Sequence, residues 1–172
     1  WYYFSKSSGA AAKGLVVIDG KRYYFNPSTS EMQTGWVTLG SNSYYFTSNG
    51  AAASGLTNIG GSLYLFGSST NKMATGWQVV GGKQYYFTAS GKAASGLATI
   101  GGARYYFGSS SKVMATGWQT INGAKYYFSS VNGKAVSGMA TIGGYRYYFG
   151  PSSNKMATGW QTIGGYRYYF SS

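Results

Sequence analysis

The chain contains no cysteine, no histidine, two prolines and only two acidic residues, Asp19 and Glu31. Each absence removes a class of chemistry. Without Cys there is no disulfide and no thiolate nucleophile or metal ligand, and without His there is no imidazole ligand and no Ser-His relay. The lack of Cys leaves the compartment open, because a reducing cytosol and a disulfide-free bacterial exterior both allow it. A glycosidase needs two carboxylates facing one bond, and Asp19 and Glu31 carry no sign of convergence. The Gly-Gly pairs open strands, not the helix a phosphate-cradling loop requires. The sequence therefore predicts no catalytic residue, no metal site and no cofactor, in a chain that is not an enzyme. Leu, Ile and Val are scarce, which rules out a conventional aliphatic core. No apolar run approaches the roughly 18 residues of a membrane span, so membrane insertion is not expected. No signal peptide is present, and the chain opens on Trp1 without a Met, as expected of an excerpt from a longer protein.

What remains is glycine, aromatic rings and positive charge. The 172 residues include 28 Gly, 19 Tyr, 9 Phe and 5 Trp, too many aromatics for a disordered segment. Fourteen Lys and Arg against two acids give a formal charge of +12, which attracts anionic polymers.

The sequence repeats. Tyr-Tyr-Phe ends at Phe4, Phe25, Phe46, Phe87, Phe107, Phe128, Phe149 and Phe170, with Tyr64-Leu65-Phe66 in the remaining slot. Every triplet after the first follows a Gly and a large apolar residue: Gly14-Leu15, Gly35-Trp36, Gly55-Leu56, Gly76-Trp77, Gly96-Leu97, Gly117-Trp118, Gly138-Met139 and Gly159-Trp160. Trp alternates with Leu or Met, so a unit of 20 or 21 residues doubles into a true period of 41 or 42. Eight complete units run from about residue 14 to 172, behind the tail of a truncated repeat at 1–13.

Each unit reads as a β-hairpin. Two β-prone runs flank a dipeptide suited to tight turns, such as Asp19-Gly20, Gly60-Gly61, Asn122-Gly123 or Gly164-Gly165. One hairpin alone is barely stable in water, whereas stacked hairpins bury their aromatic faces on one another. The fold expected is all-β, a single β-solenoid of stacked hairpins. Strand alternation puts the first Tyr and the Phe of each triplet on the core face, together with Ile163 and its equivalents. Trp, the second Tyr and the residue before the triplet fall on the other face.

With these motifs in view, the chain resembles the cell-wall-binding repeat superfamily of Gram-positive bacteria, which includes choline-binding modules, glucan-binding repeats and the short repeats of large clostridial toxins. The shared pattern of Gly-Trp, a turn and aromatic-Tyr-Phe stands here as Gly117-Trp118 through Tyr126-Tyr127-Phe128 and covers the whole chain. The resemblance implies a secreted or surface-bound module with ligand sites between neighbouring hairpins. Choline-binding repeats carry a Trp immediately before the Tyr pair, as one wall of an aromatic cage for a quaternary ammonium. Here that slot holds Arg22, Ser43, Leu63, Gln84, Arg104, Lys125, Arg146 and Arg167. A cation there disfavours choline and points to cell-wall or exopolysaccharide glycans, anionic ones included.

The candidate carbohydrate-binding residues are thus Trp36, Trp77, Trp118 and Trp160, with Tyr45, Tyr86, Tyr106, Tyr127 and Tyr148 and the cations Arg104, Lys125 and Arg146. For the Trp residues two readings stand: a flat platform for a sugar ring, or a spacer locking one hairpin to the next. Leu and Met fill the same slot in alternate units, which favours the platform. The cations either pair with a ligand or lie solvated over Tyr rings. At the level of the whole chain, the alternative to binding is a structural stalk, adhesin or filament-forming solenoid without a specific ligand, and self-association is left open. Nucleic acid is disfavoured, since the basic residues are spread over many loops.

Overall fold

The computed structural model describes residues 1–171; the upper limit placed on the repeats, residue 172, lies outside the described residues. Among those residues there are strands and turns but no helix. The chain divides into two compact units, one of Trp1–Gln78 with Tyr86–Ala93 and one of Val79–Tyr85 with Ala94 onward.

The first unit holds β1 (Gly14–Ile18), β2 (Lys21–Phe25), β3 (Gly35–Leu39), β4 (Asn42–Phe46), β5 (Gly55–Ile59) and β6 (Ser62–Phe66). The division runs through the hairpin of β7 (Gly76–Val80) and β8 (Lys83–Phe87). The second unit holds β9 (Gly96–Ile100), β10 (Ala103–Phe107), β11 (Gly117–Ile121), β12 (Ala124–Phe128), β13 (Gly138–Ile142), β14 (Tyr145–Phe149), β15 (Gly159–Ile163) and β16 (Tyr166–Phe170). Among the described residues every sheet has two strands, each strand laddered with its sequence neighbour. The all-β fold of repeated hairpins expected from the sequence is the fold observed.

The turns follow from their residues. Asp19 and Gly20 have φ of 49° and 75°, and Asn122 and Gly123 of 48° and 77°, the double positive φ of a type I′ turn that matches strand twist. At Gly40-Ser41 only the glycine is positive, the pattern of a II′ turn. Register then places Gly117 opposite Phe128, Trp118 opposite Tyr127, Gln119 opposite Tyr126 and Thr120 opposite Lys125. Directly paired residues share a face. Phe, the first Tyr and Ile therefore lie on one side of the hairpin, and Trp, the second Tyr and the residue before the triplet on the other, as alternation predicts.

Burial falls mainly on the triplets. Phe25, Phe46, Phe66, Phe87, Phe107, Phe128 and Phe149 are fully buried, and Tyr44, Tyr64, Tyr85, Tyr105 and Tyr126 nearly so. Each such ring contributes about 1.5–3 kcal/mol over its exposed state, which lets stacked rings stand in for an aliphatic core. Within the first unit Tyr64, Phe66 and Ala53 form a cluster against which Tyr45, Ile59 and Met73 pack.

The connectors join successive hairpins through the backbone. The amide of Ala52 donates to the Arg22 carbonyl, Met73 to Ser43 and Ala93 to Leu63, each at 2.8 Å. In the second unit Met114 donates to Gln84, Ala135 to Arg104 and Met156 to Lys125, also at 2.8 Å. The acceptor is always the residue just before the triplet. This contact runs through the carbonyl whatever the side chain is, which explains why that slot varies from Leu to Lys without loss of the repeat.

Candidate functional site

The alternation of Trp with Leu or Met separates two kinds of hairpin. In the Trp kind, the indole lies edge-on to the second Tyr directly across the ladder. Ring centroids are 5.2 Å apart for Trp36–Tyr45, Trp77–Tyr86 and Trp118–Tyr127, and 5.4 Å for Trp160–Tyr169. At Trp118 and Trp36 the indole also reaches the following hairpin. Trp118 stands 4.9 Å from the Tyr147 ring at 68° and 5.8 Å from Phe149. Trp36 repeats this with Tyr64 at 4.9 Å and Phe66 at 5.9 Å. Edge-to-face pairs at these distances hold each indole in one orientation while leaving part of it open to solvent. Trp118 is 40% exposed and Trp160 62%.

Around Trp118 this arrangement encloses a groove of about 330 Å³ lined by Trp118, Lys125, Tyr147 and Met156, with Gln119 and Thr120 beside them. It has an aromatic wall from each of two hairpins, an ammonium, a hydroxyl and an amide. Such a groove can stack a flat ligand face and hydrogen-bond its edge. Tyr147 and Met156 are site residues the sequence reading missed. Tyr147 is the first Tyr of its triplet, which alternation places on the core face, but it belongs to the hairpin after a Trp hairpin. Met156 sits four residues before Trp160, in the spacing that Met32, Met73 and Met114 keep before Trp36, Trp77 and Trp118.

The other candidates fall elsewhere. Tyr106 and Tyr148 belong to Leu97 and Met139 hairpins, and their rings stack on Phe128 and Phe170 of the next hairpin at 6.1 and 6.0 Å. Arg104 lies opposite Thr99, with no Trp in its hairpin, and donates to the Ser153 carbonyl at 2.5 Å. Arg146 lines a small groove with Tyr145, Tyr147 and Tyr169. Of the three candidate cations, Lys125 alone stands in a Trp hairpin. The equivalent slots hold Ser43 beside Trp36, Gln84 beside Trp77, and Arg167, whose Cζ lies 4.7 Å from the Trp160 ring centroid. The charge argument against choline thus applies at Trp118 and Trp160 and not at Trp36 or Trp77.

A run of hairpins with edge-on Trp–Tyr pairs on its Trp-bearing members, and an aromatic groove at Trp118, defines a repeat-built binding module. The choline-binding repeat matches residues 1–34, 74–115 and 115–158, and the cell wall binding repeat matches 34–52 and 158–172. The chain belongs to the choline-binding repeat family, a family of cell-wall-binding modules. It is similar to CbpJ of Streptococcus pneumoniae TIGR4, at 30% identity and a TM-score of 0.88, over 100% of this chain and 68% of that one. It is also similar to choline binding protein F of Streptococcus pneumoniae in the presence of a peptidoglycan analogue, at 30% identity and a TM-score of 0.81, over 92% of this chain and 55% of that one. A stretch of 49 residues is 41% identical to Toxin A of Clostridium novyi, covering 28% of this chain and 2% of the toxin.

Proposed function

We propose that the chain is a non-catalytic targeting module of a longer secreted protein, holding cell-wall or exopolysaccharide glycans in its Trp grooves. The observation that carries this is the Trp118 groove, with Tyr147 across it and Lys125, Gln119 and Thr120 around it. A pyranose ring stacks its C–H face on an indole and directs hydroxyls outward, where an amide, a hydroxyl and an ammonium supply the hydrogen bonds. Four Trp hairpins along one chain give one polymer several points of attachment, so weak sites sum through effective concentration. The repeat runs unbroken in sequence through both units, which supports reading residues 1–172 as one array.

A second reading is favoured by one observation: beside Trp36 the slot holds neutral Ser43, with Tyr45 and Tyr64 on two sides of the indole. An aromatic corner without a competing cation accepts a quaternary ammonium, in keeping with the family's choline-binding members. The two readings separate in one experiment. Binding of the chain to purified Gram-positive cell walls and to dextran is measured with and without millimolar choline, beside the Trp118→Leu and Trp36→Leu variants. Glycan readout predicts loss with Trp118→Leu and no competition by choline. Displacement by choline that depends on Trp36 alone selects the second reading, and indifference to both substitutions overturns both.

A further inference from the structure

Two of the Leu hairpins, β1–β2 and β9–β10, carry grooves of their own. In the first unit a groove of about 340 Å³ is lined by Lys21, Arg22, Ser54, Ser68, Ser69 and Asn71, among others. In the second unit one of about 430 Å³ is lined by Thr99, Arg104, Lys134, Ser137, Ser152 and Asn154, among others. The two share an arginine, a serine and an asparagine at equivalent positions, while the lysine comes from a different position in each, Lys21 standing where the second has Ala103 and Lys134 where the first has Ala51. Arg22 and Arg104 are 82 residues apart, Ser54 and Ser137 83, and Asn71 and Asn154 83. Among the described residues neither groove is lined by an aromatic side chain, and each has two cations.

The guanidinium is set in place by the fold. Arg22 donates through Nη1 to the Thr70 carbonyl, and Arg104 through Nη1 to the Ser153 carbonyl, so each arginine reaches a connector 48 or 49 residues on. Those connectors are themselves fixed. The Nδ2 of Asn71 donates to the Ala53 carbonyl at 2.9 Å and that of Asn154 to the Val136 carbonyl at 3.1 Å. Both asparagines have φ near +55°, a conformation Asn tolerates better than most residues. One carbonyl engages one of the five N–H donors of a guanidinium, leaving the rest of a rigid fork suited to phosphate or carboxylate oxygens. The serine hydroxyls beside it bind a polyol chain equally well. Among the described residues no carboxylate lines either groove, although Asp19 sits in the turn beside Gly20 at the edge of the first; the matching position in the second is Gly101. The intervening hairpin β5–β6 has Leu63 in the arginine slot.

We propose that the Arg22 and Arg104 grooves are a second class of ligand site, separate from the Trp grooves, for an anionic group on a hydroxylated polymer. A phosphodiester-linked polyol and a uronate-containing glycan share that chemistry. The assignment stands independently of sugar stacking on Trp, since no residue is common to the two kinds of groove.

The test measures binding of the full chain to poly(glycerol phosphate), to polygalacturonate and to neutral dextran. Because Arg22 and Arg104 also hold connectors, the variant used is the double Lys21→Gln and Lys134→Gln, at exposed positions that border the grooves. Its control is Lys6→Gln with Lys92→Gln, two exposed lysines outside both grooves with the same total charge change. The groove double is expected to lose about fivefold more polyanion affinity than the control, as two partly exposed ion pairs allow, with dextran binding unchanged. Loss toward both polyanions supports the shared chemistry, and loss toward one assigns the source. Equal losses in groove and control doubles, as a diffuse field of +12 would produce, overturn the proposal, and so does no loss at all.

Discussion

The Met114 side chain occupies the space that a Cβ on Gly133 would need, one connector further along the chain. Met32 stands in the same relation to Gly50, and Met73 to Gly91. These glycines also have positive φ, 68° at Gly133, so two separate demands converge on one residue. Met is the residue that precedes Trp by four positions, and its flexible thioether fills an irregular gap against bare backbone. The connectors that start Trp hairpins are thereby bolted to the connectors that follow them.

Gly133→Ala is therefore expected to destabilise the chain by about 2–4 kcal/mol, from backbone strain at positive φ together with overpacking against Met114. Combining it with Met114→Ala relieves the overlap and leaves the strain. The double variant should be less destabilised than the sum of the two singles, by about 1 kcal/mol or more, in chemical denaturation. Strict additivity would show that the two residues do not share the space.

Trp118→Leu should separate folding from binding. Leu56 and Leu97 fill the corresponding slot in β5 and β9, so the hairpin accommodates the change. The loss of edge contacts with Tyr127 and Tyr147 costs about 1–2 kcal/mol of stability. Glycan affinity should fall much further than that stability loss explains. A module whose tryptophans act only as spacers would keep its binding, and calorimetric titration beside thermal unfolding distinguishes the cases.

How far the sequence was legible follows from where each partner lies. The hairpins, their turns and the buried Phe ladder are encoded within some ten residues, because Gly-Gly or Asn-Gly fixes the turn and a two-residue period fixes the face. Phe128 opposite Gly117 could be read directly. Contacts between hairpins could not. Tyr147 reaches Trp118 from 29 residues away and Arg104 reaches Ser153 from 49, and both depend on how one hairpin is rotated on the last. For the same reason alternation alone puts every second Tyr in one class. In fact it divides: Tyr45, Tyr86 and Tyr127 face their own Trp, whereas Tyr106 and Tyr148 stack on the Phe of the next hairpin. The 41-residue period carried that division, since the two kinds alternate with Trp and Leu or Met.

Avidity gives a graded prediction. Replacing Trp36, Trp77, Trp118 and Trp160 by Leu one at a time, then cumulatively, should weaken binding to a short oligosaccharide little at each step. Binding to a long polymer should fall more steeply with each step, because every groove removed lowers the number of simultaneous attachments. Surface plasmon resonance on immobilised cell wall, against solution titration with the oligosaccharide, gives the two curves. Parallel curves would place the whole affinity in one groove.

Tyr2 offers a pH-dependent probe of the N-terminal repeat. The Glu31 carboxylate beside its hydroxyl, which accepts a hydrogen bond at 3.2 Å, holds the Tyr2 phenol above its ordinary pKa by charge repulsion first and the hydrogen bond second. A group whose folded pKa is raised favours the folded state below its unfolded pKa, and that contribution is lost as pH rises through the folded value. Glu31→Gln should lower the Tyr2 titration midpoint toward 10, followed by nuclear magnetic resonance of ¹³C-labelled tyrosine with Tyr2→Phe for assignment. An unmoved midpoint would dissociate the two residues.

The Lys125 slot bears directly on ligand choice. Tyr127 and Tyr147 each stand edge-on to Trp118, and Lys125 lines the same groove from the position where choline-binding repeats carry a Trp. An ammonium there repels a quaternary ammonium at any effective dielectric and attracts an acidic group. Lys125→Trp replaces the charge with a further aromatic wall, and its backbone carbonyl still accepts from Met156, so the stack is kept. The variant is expected to gain choline affinity by about tenfold, as addition of one desolvated cation–π contact allows. It should lose affinity for acidic glycans while retaining dextran. Lys125→Gln is the control for charge alone: it should lose the acidic preference without the full gain in choline binding. Calorimetric titration of the three chains with choline, at low and at high salt, separates ring from charge, since screening mimics the Gln variant and not the Trp one. Equal choline affinity in all three would mean that Lys125 does not border the groove in solution.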